Sequence, residues 1–195
     1  MTFYEPLPWS IEYEGKTYEL TTSYDNVLKM YAQLDDLLEY EKVDMMLYWL
    51  VKGDYPLDIG LLQAICALLF PPHDSEKQKS FDYIQDSDYI YAAFRQAYNI
   101  DLYAEQGKLH WLQFVALMSA LPSDTRFSEI VQIRLMPIPK PTKDNAERRA
   151  EIIKLKQKYA LVVSDEERRI RSDYCKFFNS NRICWNIHQD GPGKR

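Results

Sequence analysis

The sequence predicts a mainly α-helical protein, with an N-terminal β-hairpin packed on a cluster of about six helices and a C-terminal helical arm. Three observations predict this fold. Apolar residues recur at helical spacing along most of the chain, glycine is scarce at 6 of 195 residues, and strand-like alternation is confined to residues 9–20. With 46% hydrophobic residues, the chain can bury a core of ordinary size.

The first element is a β-hairpin, because apolar and polar side chains alternate around Glu14-Gly15. The expected facing pairs are Trp9 with Leu20 and Ile11 with Tyr18, all on one face. Glu14 is not the preferred residue for a tight two-residue turn, but a four-residue loop centred on the same pair keeps the same register. The pairing is therefore predicted for either turn.

Three helices follow the hairpin. Their apolar residues recur at helical spacing over Val27–Leu38, Val43–Val51 and Asp58–Phe70. The cluster Thr21-Thr22-Ser23 can cap the first helix, Gly53 ends the second, and Pro71-Pro72 stops the third. The third helix is apolar nearly all round, so we expect it to be buried.

A short charged loop, residues 73–80, joins these helices to a second group of three. The predicted helices are Ser87–Tyr98, Leu109–Leu121 and Thr125–Leu135. Ser87 can cap the first of them. Asp86 and Asp88 flank this serine at a helix start, where the helix dipole favours negative charge, so capping explains them better than cation binding.

The run Pro137-Ile138-Pro139-Lys140-Pro141 excludes a helix and favours an extended connector. We therefore divide the chain into residues 1–136, the hairpin and helical core, residues 137–141, the linker, and residues 142–195, a basic helical extension. Ser164 and Glu167 fit a capping box that begins a last helix, and residues 190–195 are expected to be disordered.

The net charge of −5 conceals a strong asymmetry. Residues 1–122 carry 8 Lys and Arg against 19 Asp and Glu, whereas residues 123–195 carry 16 against 10. The two parts should attract each other, either within one molecule or between neighbours stacked head to tail.

The sequence shows no pattern typical of a catalytic centre or a metal site. The histidines are scattered, the cysteines lack metal-ligand spacing, and Gly15-Lys16-Thr17 lacks the earlier glycine and the following helix of a phosphate-binding loop. We therefore expect no enzyme, no cofactor and no metal. A small hydrolase or transferase would need a pocket with a perturbed base, which the sequence does not offer.

The basic segment 140–171 supports an alternative function. Phosphate contacts there would make the protein a nucleic-acid-binding or regulatory protein, but acidic residues interrupt the segment throughout, which favours a protein-docking arm. No stretch approaches the roughly 20 apolar residues that span a bilayer, and the N-terminus lacks a secretory signal. We expect a cytoplasmic protein without membrane contact.

From Asp86 the sequence runs DSDYIYAAFRQAYNIDL and then KLHWLQFVALMSALPSDTRFSEIVQIR, ending at Arg134. The order of YIYAAF, IDL, LHW and LPSDTRF resembles the phage "gene product fifteen" family, whose members are encoded beside the tape measure protein and are regarded as tail assembly chaperones. The resemblance covers residues 9–160 loosely and is tightest over residues 86–134. Asn99 replaces a frequent glycine of the family, and Leu112 replaces a frequent tryptophan.

The resemblance implies a protein that coats the tape measure protein before the tail tube polymerises around it, and that leaves as tube subunits arrive. The expected partners are the tape measure protein, further copies of this chain in a head-to-tail homo-oligomer, and the tail tube protein. The expected location is the cytoplasm of the bacterial host and not the mature virion. The residues expected to contact a partner are Tyr89, Tyr91, His110, Trp111, Phe127 and Arg134.

Overall fold

The computed structural model describes residues 5–34, 37, 39–70, 80–142 and 145–162. These residues form two strands, β1 (Ser10–Tyr13) and β2 (Lys16–Glu19), and seven helices: α1 (Tyr24–Gln33), α2 (Glu39–Leu50), α3 (Ile59–Leu69), α4 (Ser87–Tyr98), α5 (Trp111–Ser119), α6 (Arg126–Leu135) and α7 (Ala146–Lys158). The predicted mainly α-helical fold with an N-terminal hairpin is confirmed. No helix in these ranges is long and apolar enough to cross a membrane.

The hairpin has the predicted register. Ile11 pairs with Tyr18, and the backbone N–H of Leu20 donates to the carbonyl oxygen of Trp9 at 2.8 Å. The turn is the tight two-residue form, in which Glu14 and Gly15 have φ values of +50° and +75°. Both signs are those of a type I′ turn, which matches the twist of the strands, so Glu14 accepts a backbone conformation that is uncommon for its residue type.

The segment after β2 connects three parts of the fold; we call residues 19–24 the junction segment. The N–H of Thr21 donates to the carbonyl of Leu50 at 2.9 Å, and the N–H of Trp111 donates to the carbonyl of Thr22 at 2.7 Å. The junction segment therefore joins the hairpin to the end of α2 and to the start of α5.

Helices α1 and α2 differ slightly from their predicted ranges. Helix α1 begins directly after the predicted capping cluster and ends at Gln33, while Leu38 lies outside the described residues. Helix α2 ends at Leu50, before the predicted Gly53, because Val51 leaves the helix to form a bridge with Leu20.

Helices α1 to α6 enclose one core centred on Phe114. Its ring stacks on Tyr24 with 4.9 Å between centroids, on Phe94 with 5.2 Å, and on Trp111 with 5.7 Å. Offset stacks of this kind add to the energy of the buried area alone. The aromatic residues of α4 and α5 that form these stacks are thus core residues.

Helix α7, the first part of the predicted basic extension, packs on α6. Ile152 is 8% exposed, and the Lys156 ammonium donates to the carbonyl oxygens of Arg134 and Met136 at the end of α6. A lysine at a helix C-terminus satisfies carbonyls that have no partner within the helix. The domain division at residues 137–141 stays a prediction. The predicted last helix, the chain end and most of the loop 73–80 lie outside the described residues.

Candidate protein-interaction surfaces

The six residues predicted to contact a partner lie mostly inside the fold. His110, Trp111 and Phe127 are buried, the Arg134 side chain is 11% exposed, and Tyr89 and Tyr91 are half-buried. Their role in partner binding stays a prediction, whereas their structural roles can be described.

His110 begins α5. Its Nδ1 accepts a hydrogen bond from the N–H of Leu112 at 3.0 Å, so the proton lies on Nε2, which donates to the carbonyl of Pro8 at 3.3 Å. The Gln113 side chain accepts from the N–H of His110, completing a reciprocal cap. Burial lowers the pKa of His110 below its ordinary value of 6.5. A neutral imidazole therefore holds the N-terminal segment against α5.

Arg134 forms a paired ion bridge with Asp86. Its two terminal nitrogens donate to the two carboxylate oxygens at 2.6 and 2.8 Å, and Asp86 is only 2% exposed. The same guanidinium donates to the carbonyls of Ser80 at 3.1 Å and Tyr159 at 2.6 Å. This one side chain thus connects α6 to the start of α4 and to the end of α7.

The prediction that Asp86 and Ser87 cap α4 needs correction. Asp86 takes the N-cap position, one residue earlier than predicted, and its side chain makes no capping bond to the helix. Its carboxylate accepts from the backbone N–H of Asp82 at 2.9 Å and binds Arg134. A single sequence gives no signal for a pair 48 positions apart.

Four exposed apolar residues lie close to Arg134 or Asp86 along the chain or are hydrogen-bonded to Gln85, the neighbour of Asp86. We call Ile84, Leu135, Met136 and Val162 the Arg134 surface, and their exposed fractions are 54%, 46%, 39% and 74%. The Gln85 amide joins them, because its Nε2 donates to the carbonyl of Val162 and its Oε1 accepts from the N–H of Val162, both at 2.8 Å. Sequence reasoning selected Arg134 but not the apolar residues around it.

A second exposed surface lies on α3. The helix buries Leu61, Leu62, Ile65, Cys66 and Leu69. On its other side Ile59 is 38% and Leu68 is 39% exposed, and Ala67 between them is also exposed. The prediction that α3 is buried is therefore correct for one side only, because α3 packs on α2 and β1 at the edge of the fold. We call Ile59, Ala67 and Leu68 the α3 face.

Specific contacts fix the N-terminus of α3. The Asp58 carboxylate accepts from the N–H of Gly60 at 2.7 Å and from the Tyr13 hydroxyl at 2.9 Å. A β-carbon on residue 60 would collide with the Tyr13 hydroxyl, so a larger residue there would have to displace the Tyr13 side chain. The hairpin thereby sets the position of α3.

An open groove of about 710 Å³ lies beside the hairpin and the junction segment. Trp9, which is 42% exposed, forms one wall, and its ring meets the His110 ring edge-on at 4.8 Å. Charges of both signs line the groove, including an ion pair between Lys52 and Glu19 at 2.9 Å. The groove therefore shows no preference for one sign of ligand charge.

The described residues contain no group of three His, Cys, Asp or Glu side chains that could hold a metal ion. Cys66 is 1% exposed in α3, and burial raises the pKa of its thiol to about 12. Gly15 lies in the hairpin turn and Thr17 in β2, so the triplet is followed by a strand, as predicted.

These elements define a mainly α-helical protein whose N-terminal hairpin is built into the helical core through the junction segment. The chain matches the family described as Bacteriophage Gp15 protein over residues 3–65 and 69–161. It therefore belongs to this bacteriophage family, which confirms the resemblance seen in the sequence. No curated protein and no solved structure matches the chain.

Proposed function

We propose that this protein is a phage tail assembly chaperone that binds the tape measure protein in the cytoplasm of the host. The Arg134 surface carries the proposal, because its four apolar side chains are exposed on segments that the buried Arg134–Asp86 ion pair and the Gln85 amide hold together. An amphipathic client helix can lay its apolar side on such a surface. Membership in the phage family supports the phage role.

The proposed activity is binding and requires no bond chemistry, cofactor or metal. A long client chain exposes apolar helix sides until other subunits cover it, and such sides aggregate. A chaperone that covers them and later departs needs many moderate contacts. The partly exposed apolar residues of the Arg134 surface, each between 39% and 74% exposed, suit such contacts.

We also propose that copies of the protein associate head to tail. Support comes from the charge asymmetry between residues 1–122, with a net charge of −11, and residues 123–195, with +6. On α7 the side chains of Arg148, Lys154 and Lys158 are exposed. An acidic body and a basic end attract each other between neighbours and can repeat along a client chain.

Coexpression with the tape measure protein of the same phage tests client binding. We expect the client to stay in the soluble fraction and to copurify with the wild-type protein. The double variant Leu135→Glu/Met136→Glu should lose the client, because it places charge in the apolar contact. Tyr48→Glu, at a side chain that is 64% exposed on α2, is the matched control and should retain it. An aggregated client beside wild-type protein contradicts the proposal.

The exposed basic residues of α7 also support the alternative, a nucleic-acid-binding protein. Glu147 and Glu151 are exposed on the same helix, however, and Lys156 is occupied by the end of α6. Phosphate binding predicts a gel shift at low salt that disappears at moderate salt. Absence of a shift with DNA and RNA at low salt rules this function out.

A further inference from the structure

The described chain ends within the Arg134 surface. Its last described residue, Val162, is one of the four apolar residues of this surface and is 74% exposed. The Gln85 amide holds Val162 by its backbone, since Nε2 donates to the carbonyl and Oε1 accepts from the N–H, both at 2.8 Å. The chain therefore continues from a fixed point on the surface itself.

The Arg134 surface lies on three segments that polar contacts join: the residues before α4, the end of α6 and the residues after α7. Arg134, in the last turn of α6, binds the Asp86 carboxylate of the first segment and the Tyr159 carbonyl of the third. The four apolar residues are between 39% and 74% exposed. An isolated exposed apolar residue needs no explanation, but four on segments joined in this way mark a contact surface.

The sequence that follows Val162 has the pattern of a helix that could cover this surface. Ile170, Tyr174 and Phe177 follow one another at i, i+4 and i+7, which places them in one stripe of a helix that begins at the predicted capping box. These residues lie outside the described part of the chain, and the pattern is that of the sequence alone. We call residues 164–178 the tail segment. A helix with one apolar stripe buries that stripe against another element.

We propose that the tail segment covers the Arg134 surface of its own molecule until a client helix displaces it. The client expected at this surface is also an amphipathic helix, so the two compete for the same apolar side chains. The inference deepens the proposed function, and its displacement step rests on that function. The contact between the tail segment and the surface does not depend on it.

Connectivity selects the tail segment of the same molecule as the occupant. Val162 belongs to the surface, the tail segment begins two residues later, and Ile170 follows Val162 by eight positions, a span of at most about 28 Å. A short tether of this kind gives an effective concentration on the order of millimolar. A second copy in dilute solution therefore competes poorly with a segment that is attached to the surface.

A tethered cover has a consequence for client binding. Uncovered apolar surface aggregates or binds unsuitable chains, and the tail segment would prevent both while the client is absent. Because the client binds only the open form, closure weakens its apparent affinity in proportion to the fraction of molecules that are open. A surface that is closed in about nine of ten molecules binds its client about tenfold more weakly than an open one.

Photo-cross-linking of the full-length protein tests the contact. In the variant Cys184→Ser, a benzophenone maleimide labels Cys175 in the tail segment, because Cys66 is only 1% exposed. Unlabelled and nitrogen-15-labelled copies are mixed in equal amounts at high salt, dialysed to low salt and irradiated. We expect links to the peptides that contain Ile84 or Met136, each between two peptides of equal label, with a yield that does not change with protein concentration.

Two other results of this experiment overturn the proposal. Pairs in which about half combine a labelled with an unlabelled peptide would show that a second copy provides the tail segment. Links confined to other parts of the chain, or no link at all, would show that the tail segment does not lie on the Arg134 surface.

Variants of the tail segment provide a second test in the full-length protein. Ile170→Asp/Phe177→Asp places two charges on the apolar stripe and should open the surface, so we expect stronger fluorescence of an apolar dye and about tenfold tighter client binding. Ser172→Asp, on the opposite side of the predicted helix, is the matched control and should change neither. Circular dichroism checks that both variants are folded. Equal dye fluorescence in the two variants and the wild type refutes the contact.

The two proposals can fail separately. A tape measure protein that aggregates beside wild-type protein, in the presence of equal-label links to the Arg134 surface, refutes the chaperone role and leaves the tail contact standing. A client that stays soluble with the wild-type protein, while no equal-label link to this surface forms, refutes the tail contact alone.

Discussion

Helices α3 and α7 differ in a way that their composition does not predict. An uncharged helix is usually buried on all sides and a highly charged one usually lies in solvent, but neither rule holds here. Helix α3 has no charged residue in 11 positions, yet three of its residues, Ile59, Ala67 and Leu68, are exposed. Helix α7 has seven charged residues in 13 positions, yet it is fixed to the body through Ile152 and Lys156. Hydrophobic content alone would bury the first helix and leave the second in solvent.

The difference shows that polar contacts at helix ends can decide where a helix lies. Helix α7 is held by Lys156 on the carbonyls of α6 and by Arg134 on the carbonyl of Tyr159. Arg126 adds a hydrogen bond to the Tyr159 hydroxyl and lies 5.2 Å from its ring centroid. Helix α3 is held by its buried side and by the contacts of Asp58, while Ile59, Ala67 and Leu68 stay exposed.

The largest expected effect is that of Arg134→Ala. This change leaves the Asp86 carboxylate, 2% exposed, without its cation and removes the link to α7, so we expect a loss of about 3–5 kcal/mol in unfolding free energy. Urea unfolding measures the loss, and hydrogen exchange should show opening of α7. Lys52→Ala, which breaks a solvent-exposed pair with Glu19, is the control and should have a much smaller effect. Equal losses of unfolding free energy in the two variants would show that the buried pair stabilises the fold no more than an exposed pair does.

The two sides of α3 should differ in a second experiment. Ile65→Ala creates a cavity at a side chain with 0% exposure and should cost about 2–5 kcal/mol. Leu68→Ala on the outer side should stay within about 0.5 kcal/mol for the isolated chain. Urea unfolding below the association concentration measures both. A large effect of Leu68→Ala in the monomer would mean that the α3 face is not a free surface.

The N-cap of α3 should have a smaller effect. Asp58→Ala removes the bond to the N–H of Gly60 and the acceptor of the Tyr13 hydroxyl, so we expect a loss of about 1 kcal/mol. Asn145 takes the corresponding position of α7 but makes no capping bond to the helix. Asn145→Ala is therefore the matched control, and thermal unfolding should show a smaller decrease in its melting temperature. The reverse order would contradict the importance of the α3 cap.

The smallest expected effect is on the pH dependence of the unfolding free energy, to which His110, the buried N-cap of α5, contributes. Because burial lowers the pKa of His110 in the folded state, the unfolded state takes up a proton first as pH falls below 6.5. The unfolding free energy should thus decrease from pH 6.5 downward through the folded-state pKa. His110→Asn can still cap α5 but cannot titrate, so this part of the decrease should disappear. A variant with the wild-type slope between pH 6.5 and 5 would argue against a titrating His110.

Local patterns predicted the elements well. Alternation around Glu14-Gly15 gave the correct pairing of Ile11 with Tyr18, and helical spacing placed α3, α5 and α6 within two residues at each end. These features depend on neighbours in sequence, whose period is visible in a single chain. The tight turn was harder to predict, since glutamate seldom adopts positive φ.

The surfaces could not be predicted in the same way. His110 and Trp111 were predicted to contact a partner, but the hydrogen bond of His110 with Pro8 and the stack of Trp111 on Phe114 place both side chains inside the fold. Which side of α3 is exposed depends on the elements that pack beside it, and no periodic pattern in the sequence predicts that packing. Arg134 was predicted to contact a partner, which stays a prediction, and its ion-pair partner Asp86 lies too far away in sequence to be inferred.

The contact between Pro8 and His110 affects how the chain folds as it leaves the ribosome. Pro8 and His110, which meet in the folded protein, are 102 positions apart. At roughly 5–20 residues per second, translation takes about 5–20 s to supply the second member of this pair after the first. The segment around Pro8 is thus among the earliest parts to be synthesised, but it reaches its final contact only after the start of α5 has been synthesised.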